Sequence, residues 1–160
     1  MNPSRNDLPE ANRVKLTTLL NERLAEAIDL SLQTKQAHWN VKGPNFIALH
    51  ELFDSLAGIV TGFVDELAER ITALGGTAEG TVAAVSGRSK LPAYPLEITS
   101  GRDHTNRLAD SLAAFGKSAR ASIELAEQLD DADTADLLTG ISRETDKQLW
   151  FVEAHLQADR

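Results

Sequence analysis

Apolar residues recur at intervals of three and four along most of this chain, the spacing that places side chains on one face of a helix. The clearest seam follows Pro44 and consists of Phe46, Leu49, Phe53, Leu56, Val60, Phe63, Leu67, Ile71 and Leu74. Shorter stripes of the same kind precede and follow it. The pattern predicts four long helices, named A to D in chain order, over residues 10–37, 44–74, 103–129 and 134–157.

The segment between helices B and C is the least helical part of the chain. It contains Gly80, Gly87, Pro92 and Pro95, and residues 94–100 are expected to form a short helix. A connection of this length can cross the full length of a bundle, so that helices B and C run parallel. We therefore predict an all-α fold, a ferritin-like four-helix bundle with a long B–C crossover carrying a short helix.

The chain ends and the helix boundaries complete this predicted organisation. Residues 1–9 are polar and predict a flexible N-terminal tail, and residues 10–158 predict one bundle domain. Residues 75–76, both glycine, are expected to close helix B. In the acidic turn before helix D, Asp133 is expected to cap the helix and Asp136 to lie in its first turn.

Composition narrows the functional classes. The 160 residues include no cysteine, which excludes disulfides and thiolate metal sites. No apolar run approaches the roughly 20 residues of a membrane span, and the start MNPSRNDLPEANR lacks the apolar core of a secretory signal. We therefore expect a cytoplasmic protein without membrane contact. A net charge of −8 disfavours passive adhesion to nucleic acid or anionic lipid.

Helix B also carries a histidine and carboxylates at helical spacings. His50 and Asp54 are four residues apart, as are Asp65 and Glu69, and side chains four apart on a helix can bind one metal ion. The 11 positions from Asp54 to Asp65 return both pairs to nearly the same face but separate them by ~16 Å along a straight helix. One chain cannot close both pairs on one ion. Two antiparallel copies of the helix can do so across a two-fold axis.

Other residues of this stretch favour such an intersubunit metal site. Gly58 and Gly62 fall near the midpoint between the two pairs and let two backbones approach closely. With His38, the set offers two imidazoles and three carboxylates, which suits Fe(II), Mn(II) or Zn(II) without separating these metals. No histidine follows a glutamate by three residues, so a Glu-x-x-His centre inside one bundle is not expected.

Several residues keep two interpretations. Trp39, beside His38, can donate an electron or intercept a radical near the metal, or it can simply pack at a helix end. His104 and His155 lack neighbouring ligands and are expected to be helix-terminal or surface histidines. A run of acids either lines an ion-entry pore or forms a solvated helix cap. This run consists of Asp130, Asp131, Asp133 and Asp136.

A resemblance to a known family reinforces the metal-site hypothesis. The stretch QAHWNVKGPNFIALHELFD, followed by DELAE over residues 65–69, resembles the signature of the Dps family, named for DNA-binding proteins from starved cells. The later stretches KLPAYPLEI and SRETDKQLWFVEAHLQ are similar as well, so the resemblance covers nearly the whole chain after the tail. Members of the family are mini-ferritins.

The resemblance implies a shell of twelve identical bundles with ferroxidase centres shared between two-fold partners. The family's five ligand positions fall on His38, His50 and Asp54 of one chain and on Asp65 and Glu69 of the other. Family chemistry is oxidation of Fe(II), preferably by hydrogen peroxide, with storage of ferric oxide in the cavity. Acidic pores on the three-fold axes admit iron in the family, which favours the pore interpretation of the acidic run.

From these observations we predict a stress-response ferroxidase and iron-storage protein that forms a homododecamer. The alternative is a DNA-compacting structural protein whose metal site is vestigial or filled by zinc. Many family members bind DNA through a Lys-rich terminal arm. Here residues 1–15 hold only three cations, and the C-terminus adds Arg160 after Asp159, so counterion release on DNA would be small. The sequence therefore argues against DNA binding.

Overall fold

The computed structural model describes residues 1–157 of the chain. The predicted domain end at residue 158 and the C-terminal Asp159 and Arg160 lie outside the described residues. Five helices run in the order α1 (Glu10–Asn40), α2 (Phe46–Ala73), α3 (Val82–Arg88), α4 (Gly101–Gln128) and α5 (Ala132–Ala154). Residues 1–157 contain no β-strand. The four long helices lie within three residues of their predicted ends, and the all-α bundle with its long crossover carrying a short helix is confirmed.

The core lies between two helix pairs. α1 packs along α2, α4 packs along α5, and the pairs meet through α1–α4 and α2–α5 contacts. The apolar seam of α2 supplies much of the buried core, together with leucines of α1 and Phe115 of α4. By length and composition α2 also fits a membrane span, a test that the core helix of a helical bundle passes as well.

The predicted position of the short helix is wrong. Residues 94–100 are not helical, and the short helix is α3, earlier in the crossover. The hydroxyl of Thr81 accepts the Ala84 N–H over 3.4 Å, so a side-chain cap begins α3. Tyr94 precedes a proline, and the residue before proline is biased away from helical backbone angles.

The end of the crossover is held instead by backbone pairing with the α1–α2 loop. The Lys42 N–H donates to the Thr99 carbonyl over 2.9 Å, and the Gly101 N–H donates to the Lys42 carbonyl over 3.1 Å. These bonds satisfy the backbone groups that a short helix would otherwise use. They also place the start of α4 beside the end of α1.

The predicted cap of the last helix is wrong as well. The capping residue is Asp131, whose Oδ1 accepts the Thr134 N–H over 3.1 Å, while Asp133 lies exposed in the first turn. The chain leaves α4 through Asp130 at φ +60°. This left-handed residue reverses the chain early, so α5 begins two residues before the prediction.

The N-terminal residues contact the end of α2. The Asn2 N–H donates to the Gly75 carbonyl over 2.7 Å, and the Arg13 guanidinium bonds the carbonyls of Leu8 and Leu74. Gly75 closes α2 at φ +87°, as predicted, and a Cβ there would lie 2.7 Å from the Asn2 carbonyl oxygen. Flexibility of residues 1–9 stays a prediction.

Candidate metal centre

His38 in the last turn of α1 and His50 in α2 hold each other by reciprocal hydrogen bonds. His38 Nδ1 lies 2.8 Å from the His50 carbonyl oxygen, and His50 Nδ1 lies 2.9 Å from the His38 carbonyl oxygen. The two rings stack with centroids 3.8 Å apart and an interplanar angle of 22°. The pair therefore fixes both imidazoles where α1 meets α2.

These contacts determine which ring nitrogen carries the proton. A carbonyl oxygen can only accept, so each Nδ1 is the donor and each Nε2 keeps its lone pair in the neutral ring. Metal-binding histidines are commonly oriented in this way, with one nitrogen donating to a backbone carbonyl. The two Nε2 atoms are therefore available as metal ligands.

Asp54 lies one turn after His50 and completes a local cluster. Its Oδ1 is 3.9 Å from His38 Nε2 and accepts a hydrogen bond from the Lys35 ammonium of α1. This hydrogen bond and the charge of Lys35 hold the pKa of the Asp54 carboxyl below its usual range. Sequence reasoning missed Lys35 as a site residue, although its spacing of three from His38 places both on one helix face.

The other two predicted ligands lie elsewhere on α2. Asp65 and Glu69 are exposed, and the unbroken helix keeps Asp65 ~16 Å from Asp54 along its axis. Within residues 1–157 of one chain, no three histidine or acidic side chains form a group that could hold a metal ion. The surface between the pairs is open, because a Cβ added at Gly58 or Gly62 would meet nothing within 4 Å.

The remaining predicted site residues differ in exposure. Trp39 is 67% exposed at the end of α1. Asp130, Asp133 and Asp136 are exposed around the α4–α5 turn. Asp131 is only 3% exposed, and its carboxylate accepts from the Arg70 guanidinium over 2.6 Å. Three of the four acids are therefore free to face an aqueous pore, whereas Asp131 is engaged inside its own chain.

His104 is helix-terminal, one of the two positions that the sequence predicted, but it does not lie at the surface. It is 1% exposed in the first turn of α4, and its Nδ1 lies 2.6 Å from the Tyr94 hydroxyl of the crossover. Burial lowers the pKa of His104 and raises the pKa of Tyr94. His155 is exposed at the end of α5, as expected.

A second buried polar cluster lies between α1 and α4. Glu26 accepts hydrogen bonds from Arg23 over 3.2 Å and from the Ser118 hydroxyl over 2.6 Å. Burial raises the pKa of the Glu26 carboxyl. Both carboxylate oxygens of Glu26 already accept hydrogen bonds from these donors. The cluster is therefore a structural ion pair inside the bundle. Nothing in the local sequence distinguished Glu26 from a solvated acid.

Comparison with known proteins agrees with this architecture. The family model described as Ferritin-like domain matches residues 17–160, which places the chain in the ferritin-like class of helical bundles. A DNA protection during starvation protein of Agrobacterium fabrum is 46% identical over 154 residues, covering 96% of this chain and 95% of that protein. The chain belongs to the Dps family of mini-ferritins.

Solved structures of the family superpose closely on the fold. A Mycobacterium smegmatis Dps in a tetragonal form has a TM-score of 0.94 at 34% identity, covering 99% of this chain and 96% of that one. A Vibrio cholerae Dps has a TM-score of 0.91 at 27% identity, covering 98% of both chains. That protein is described as a member of a broad superfamily of ferritin-like diiron-carboxylate proteins.

Proposed function

We propose that the protein is a ferroxidase that oxidises Fe(II), preferably with hydrogen peroxide, and stores ferric oxide inside a homododecameric shell. The observation that carries the proposal is the reciprocal His38–His50 clamp, which leaves both Nε2 atoms without the proton and places that of His38 3.9 Å from the Asp54 carboxylate. Imidazole and carboxylate ligands suit iron. The description of the Vibrio cholerae relative as a diiron-carboxylate protein favours iron over Zn(II) or Mn(II).

The site is proposed to be dinuclear and shared between two chains. His38, His50 and Asp54 come from one copy, and Asp65 and Glu69 come from a second copy whose α2 runs antiparallel. The open surface over Gly58 and Gly62 supports this packing, because two helices can approach most closely where side chains are absent. A two-fold contact gives two identical sites per dimer, hence one site per chain.

At this site the side chains have distinct tasks. The imidazoles fix the position of Fe(II), and the three carboxylates stabilise the added positive charge as Fe(II) becomes Fe(III). Each Fe(II) gives up one electron, so two ions reduce one hydrogen peroxide to two waters with uptake of two protons. Removing Fe(II) and peroxide together prevents formation of hydroxyl radicals, the basis of the proposed protective role in the stressed cytoplasm.

Iron is proposed to reach the interior through acidic pores. The exposed carboxylates of Asp130, Asp133 and Asp136 attract divalent cations, and rings of such groups favour cation passage. Asp131 belongs to the same segment, where its buried carboxylate positions the turn. Trp39, exposed beside His38, is proposed to intercept radicals that escape the centre.

Anaerobic iron loading tests this proposal. Fe(II) is added to purified protein under argon, hydrogen peroxide is injected, and ferric absorbance is followed while the product is checked for solubility. Rapid oxidation into a soluble, protein-bound mineral is expected. The variant His50→Ala/Asp54→Ala should assemble normally but lose fast oxidation. Normal kinetics in that variant would refute the site, and precipitation of ferric oxide from the wild-type protein would refute storage.

Compaction of DNA is a second candidate, favoured by the names of relatives such as the DNA protection during starvation protein of Agrobacterium fabrum. Two observations weigh against it: the scarcity of cations in residues 1–15 and the contact of Asn2 with the bundle. A gel-shift titration against salt separates the candidates. Retardation at physiological salt with a steep salt dependence would support DNA binding.

A further inference from the structure

Tyr94, the only tyrosine of the chain, is hydrogen-bonded to a buried histidine. Its hydroxyl oxygen lies 2.6 Å from His104 Nδ1, and within residues 1–157 the hydroxyl has no second hydrogen-bond partner. The phenol proton therefore points to the Nδ1 lone pair of the neutral imidazole. The other ring nitrogen, Nε2, is buried and has no hydrogen-bond partner among the same residues.

Both groups have the protonation states that a proton transfer from phenol to imidazole requires. Burial raises the pKa of Tyr94 and lowers the pKa of His104, so at neutral pH the phenol keeps its proton and the imidazole is a free base. The carbonyls of Asn40 and Ile98 and the Asp103 carboxylate act against the burial of His104. They stabilise the positive charge that the ring acquires when it accepts a proton.

The pair lies beside the end of α1 that carries the proposed ligand His38. The Asn40 carbonyl, which lies near the His104 ring, belongs to the same last turn of α1 as His38. Two residues separate them, so the His38 and His104 rings are no further apart than roughly the 10–12 Å width of a helix with its side chains. The Tyr94 ring packs against the core. An electron can therefore pass from Tyr94 to the metal centre without crossing bulk water.

We propose that Tyr94 and His104 form a redox-active pair, in which Tyr94 gives one electron to an oxidising radical formed at the metal centre while His104 takes the phenol proton. Loss of an electron makes a phenol a strong acid. A base within hydrogen-bonding distance can accept its proton in the same step. The proposal rests on the proposed function for its oxidant, because the reaction of Fe(II) with hydrogen peroxide supplies the radical.

The electrons balance when a site holds a single Fe(II). That ion reacts with hydrogen peroxide to give Fe(III), hydroxide and a hydroxyl radical. The hydroxyl radical takes one electron from Tyr94 and becomes a second hydroxide, and the phenol proton moves to His104 Nδ1. A later Fe(II) returns one electron to the tyrosyl radical, and the proton moves back to the phenol oxygen. Two Fe(II) and one peroxide have then given two Fe(III) and two hydroxide ions.

A simpler role is a structural hydrogen bond that holds the crossover against the first turn of α4. That role predicts a lower thermal stability for variants of either residue. It predicts neither a radical on Tyr94 nor any dependence of radical formation on a basic group at position 104. Detection of the tyrosyl radical therefore distinguishes the two roles.

The first experiment contains no iron. The assembled protein is illuminated with ruthenium(II) tris-bipyridine and persulfate, which oxidise aromatic side chains one electron at a time, and is frozen for EPR spectroscopy. A tyrosyl signal that narrows after labelling with ring-deuterated tyrosine must come from Tyr94, since the chain has no other tyrosine. Tyr94→Phe gives the background.

The wild-type protein should give the tyrosyl signal. His104→Gln should give about tenfold less or lower, because its amide can bond the phenol but cannot take the proton. The exposed His155→Gln should match the wild-type protein. Absence of the signal, or equal signals in wild-type protein and His104→Gln, would overturn the redox pair.

A second measurement of the coupling needs no variant. Time-resolved absorption after a flash gives the rate at which the tyrosyl radical forms in the wild-type protein. This rate should be lower in D₂O than in H₂O, because the phenol proton moves together with the electron. Equal rates in the two solvents would contradict transfer of the proton to His104 in the same step.

The last experiment tests the pair at the metal centre. A single Fe(II) per chain is added under argon, hydrogen peroxide follows, and the sample is frozen rapidly. The tyrosyl signal of Tyr94 should appear and should fall when excess Fe(II) returns the electron. Rapid Fe(II) oxidation without this signal would overturn the role of the pair and leave the ferroxidase intact. Slow Fe(II) oxidation together with a tyrosyl signal in the iron-free experiment would refute the ferroxidase and support the redox pair.

Discussion

The carbonyl oxygens of His38 and His50 each accept the other residue's Nδ1 proton, so each imidazole is oriented by the backbone of the other residue. Because both acceptors are backbone oxygens, replacing one histidine with alanine leaves the orienting bond of the other ring in place and removes only the stacking between the rings. The backbone therefore orients each imidazole independently of the other side chain before any metal arrives.

A double-mutant cycle on this pair should be close to additive. His38→Ala and His50→Ala should each weaken binding of Co(II), a redox-stable substitute for Fe(II), by about tenfold or more, because each removes one ligand while the other ring keeps its bond to a backbone carbonyl. The double variant should therefore lose about the product of the two single factors. Titration under argon provides the measurement, with the exposed His155→Gln as control. A double variant no worse than either single variant would contradict this independence and show that each ring needs the other side chain.

The sharing of the site between chains can be tested by complementation. One parent chain carries His50→Ala/Asp54→Ala and the other carries Asp65→Ala/Glu69→Ala. Each parent alone should lack fast Fe(II) oxidation. In a random mixed assembly half of the two-fold dimers are hybrids, and each hybrid restores one of its two sites.

The co-assembled protein should therefore recover about a quarter of the wild-type rate. Stopped-flow absorbance after peroxide addition gives the rate, and a mixture of the separately assembled parents is the control. Activity no higher in the co-assembled protein than in that mixture would contradict a shared site.

The ion pair between Arg70 and Asp131 should contribute strongly to stability. Replacing Arg70 with methionine would leave the Asp131 carboxylate, 3% exposed, without its charge partner. Removing one partner of a buried pair lowers the free energy of unfolding by about 3 kcal/mol or more. Because Arg70 is partly exposed, we expect a decrease close to about 3 kcal/mol. Chemical denaturation at fixed protein concentration measures it.

Asp133 provides the matched control for that experiment. Its carboxylate lies 3.9 Å from the same guanidinium but is 87% exposed, so Asp133→Asn should change the unfolding free energy by less than about 0.5 kcal/mol. If Arg70→Met and Asp133→Asn lowered the unfolding free energy by similar amounts, burial of Asp131 would not be the reason that its ion pair with Arg70 stabilises the protein.

The sequence predicted the helices well because each is long and its apolar residues repeat with the helical period. It placed the short crossover helix wrongly because α3 has only seven residues, Val82–Arg88. Two helical turns are too short for a period of apolar residues to be recognised. The capping residue was misassigned for a similar reason. Four acids lie in or near that turn, and the sequence does not show which of them caps the helix. The left-handed backbone of Asp130 and the hydrogen bond from Arg70 place Asp131 at the capping position.

In the candidate site, too, features that lie on one helix were predicted and contacts between helices were not. Spacing alone grouped His50 with Asp54 and separated Asp65 from them, since positions on one helix have a known geometry. The reciprocal bonds of the histidines, the Lys35 contact and the burial of His104 depend on how different helices meet. Contacts of that kind have no signature in a local stretch of sequence.

The left-handed conformation of Asp130 predicts a stabilising substitution. At φ +60° a residue with a Cβ is strained, and glycine is not. Asp130→Gly should raise the unfolding free energy by about 0.5–1 kcal/mol, whereas Asp130→Ala should lower it by a similar amount. Denaturation midpoints of the two variants measure the difference. Equal stabilities of the glycine and alanine variants would contradict the role of backbone strain.

His104 should make stability depend on pH. Burial is the main cause that lowers its pKa in the folded protein, opposed by the nearby carbonyls of Asn40 and Ile98 and by the charge of Asp103. Between the folded pKa and the unfolded value of about 6.5, the unfolded chain therefore binds a proton that the folded chain does not. The stabilising contribution of neutral His104 is fully present above that unfolded value and is lost as pH falls below it.

His104→Gln removes the titrating group, and its amide can still bond the Tyr94 hydroxyl. From pH 7.5 to pH 5 the wild-type protein should lose stability more steeply than this variant, by at most about 1.4 kcal/mol per pH unit. Thermal midpoints at constant protein concentration measure both slopes, and the exposed His155→Gln should follow the wild-type protein. The variant's absolute stability does not enter the comparison. Parallel slopes for the wild-type protein and His104→Gln would show that His104 titrates as it does in the unfolded chain, against the burial that the structure gives it.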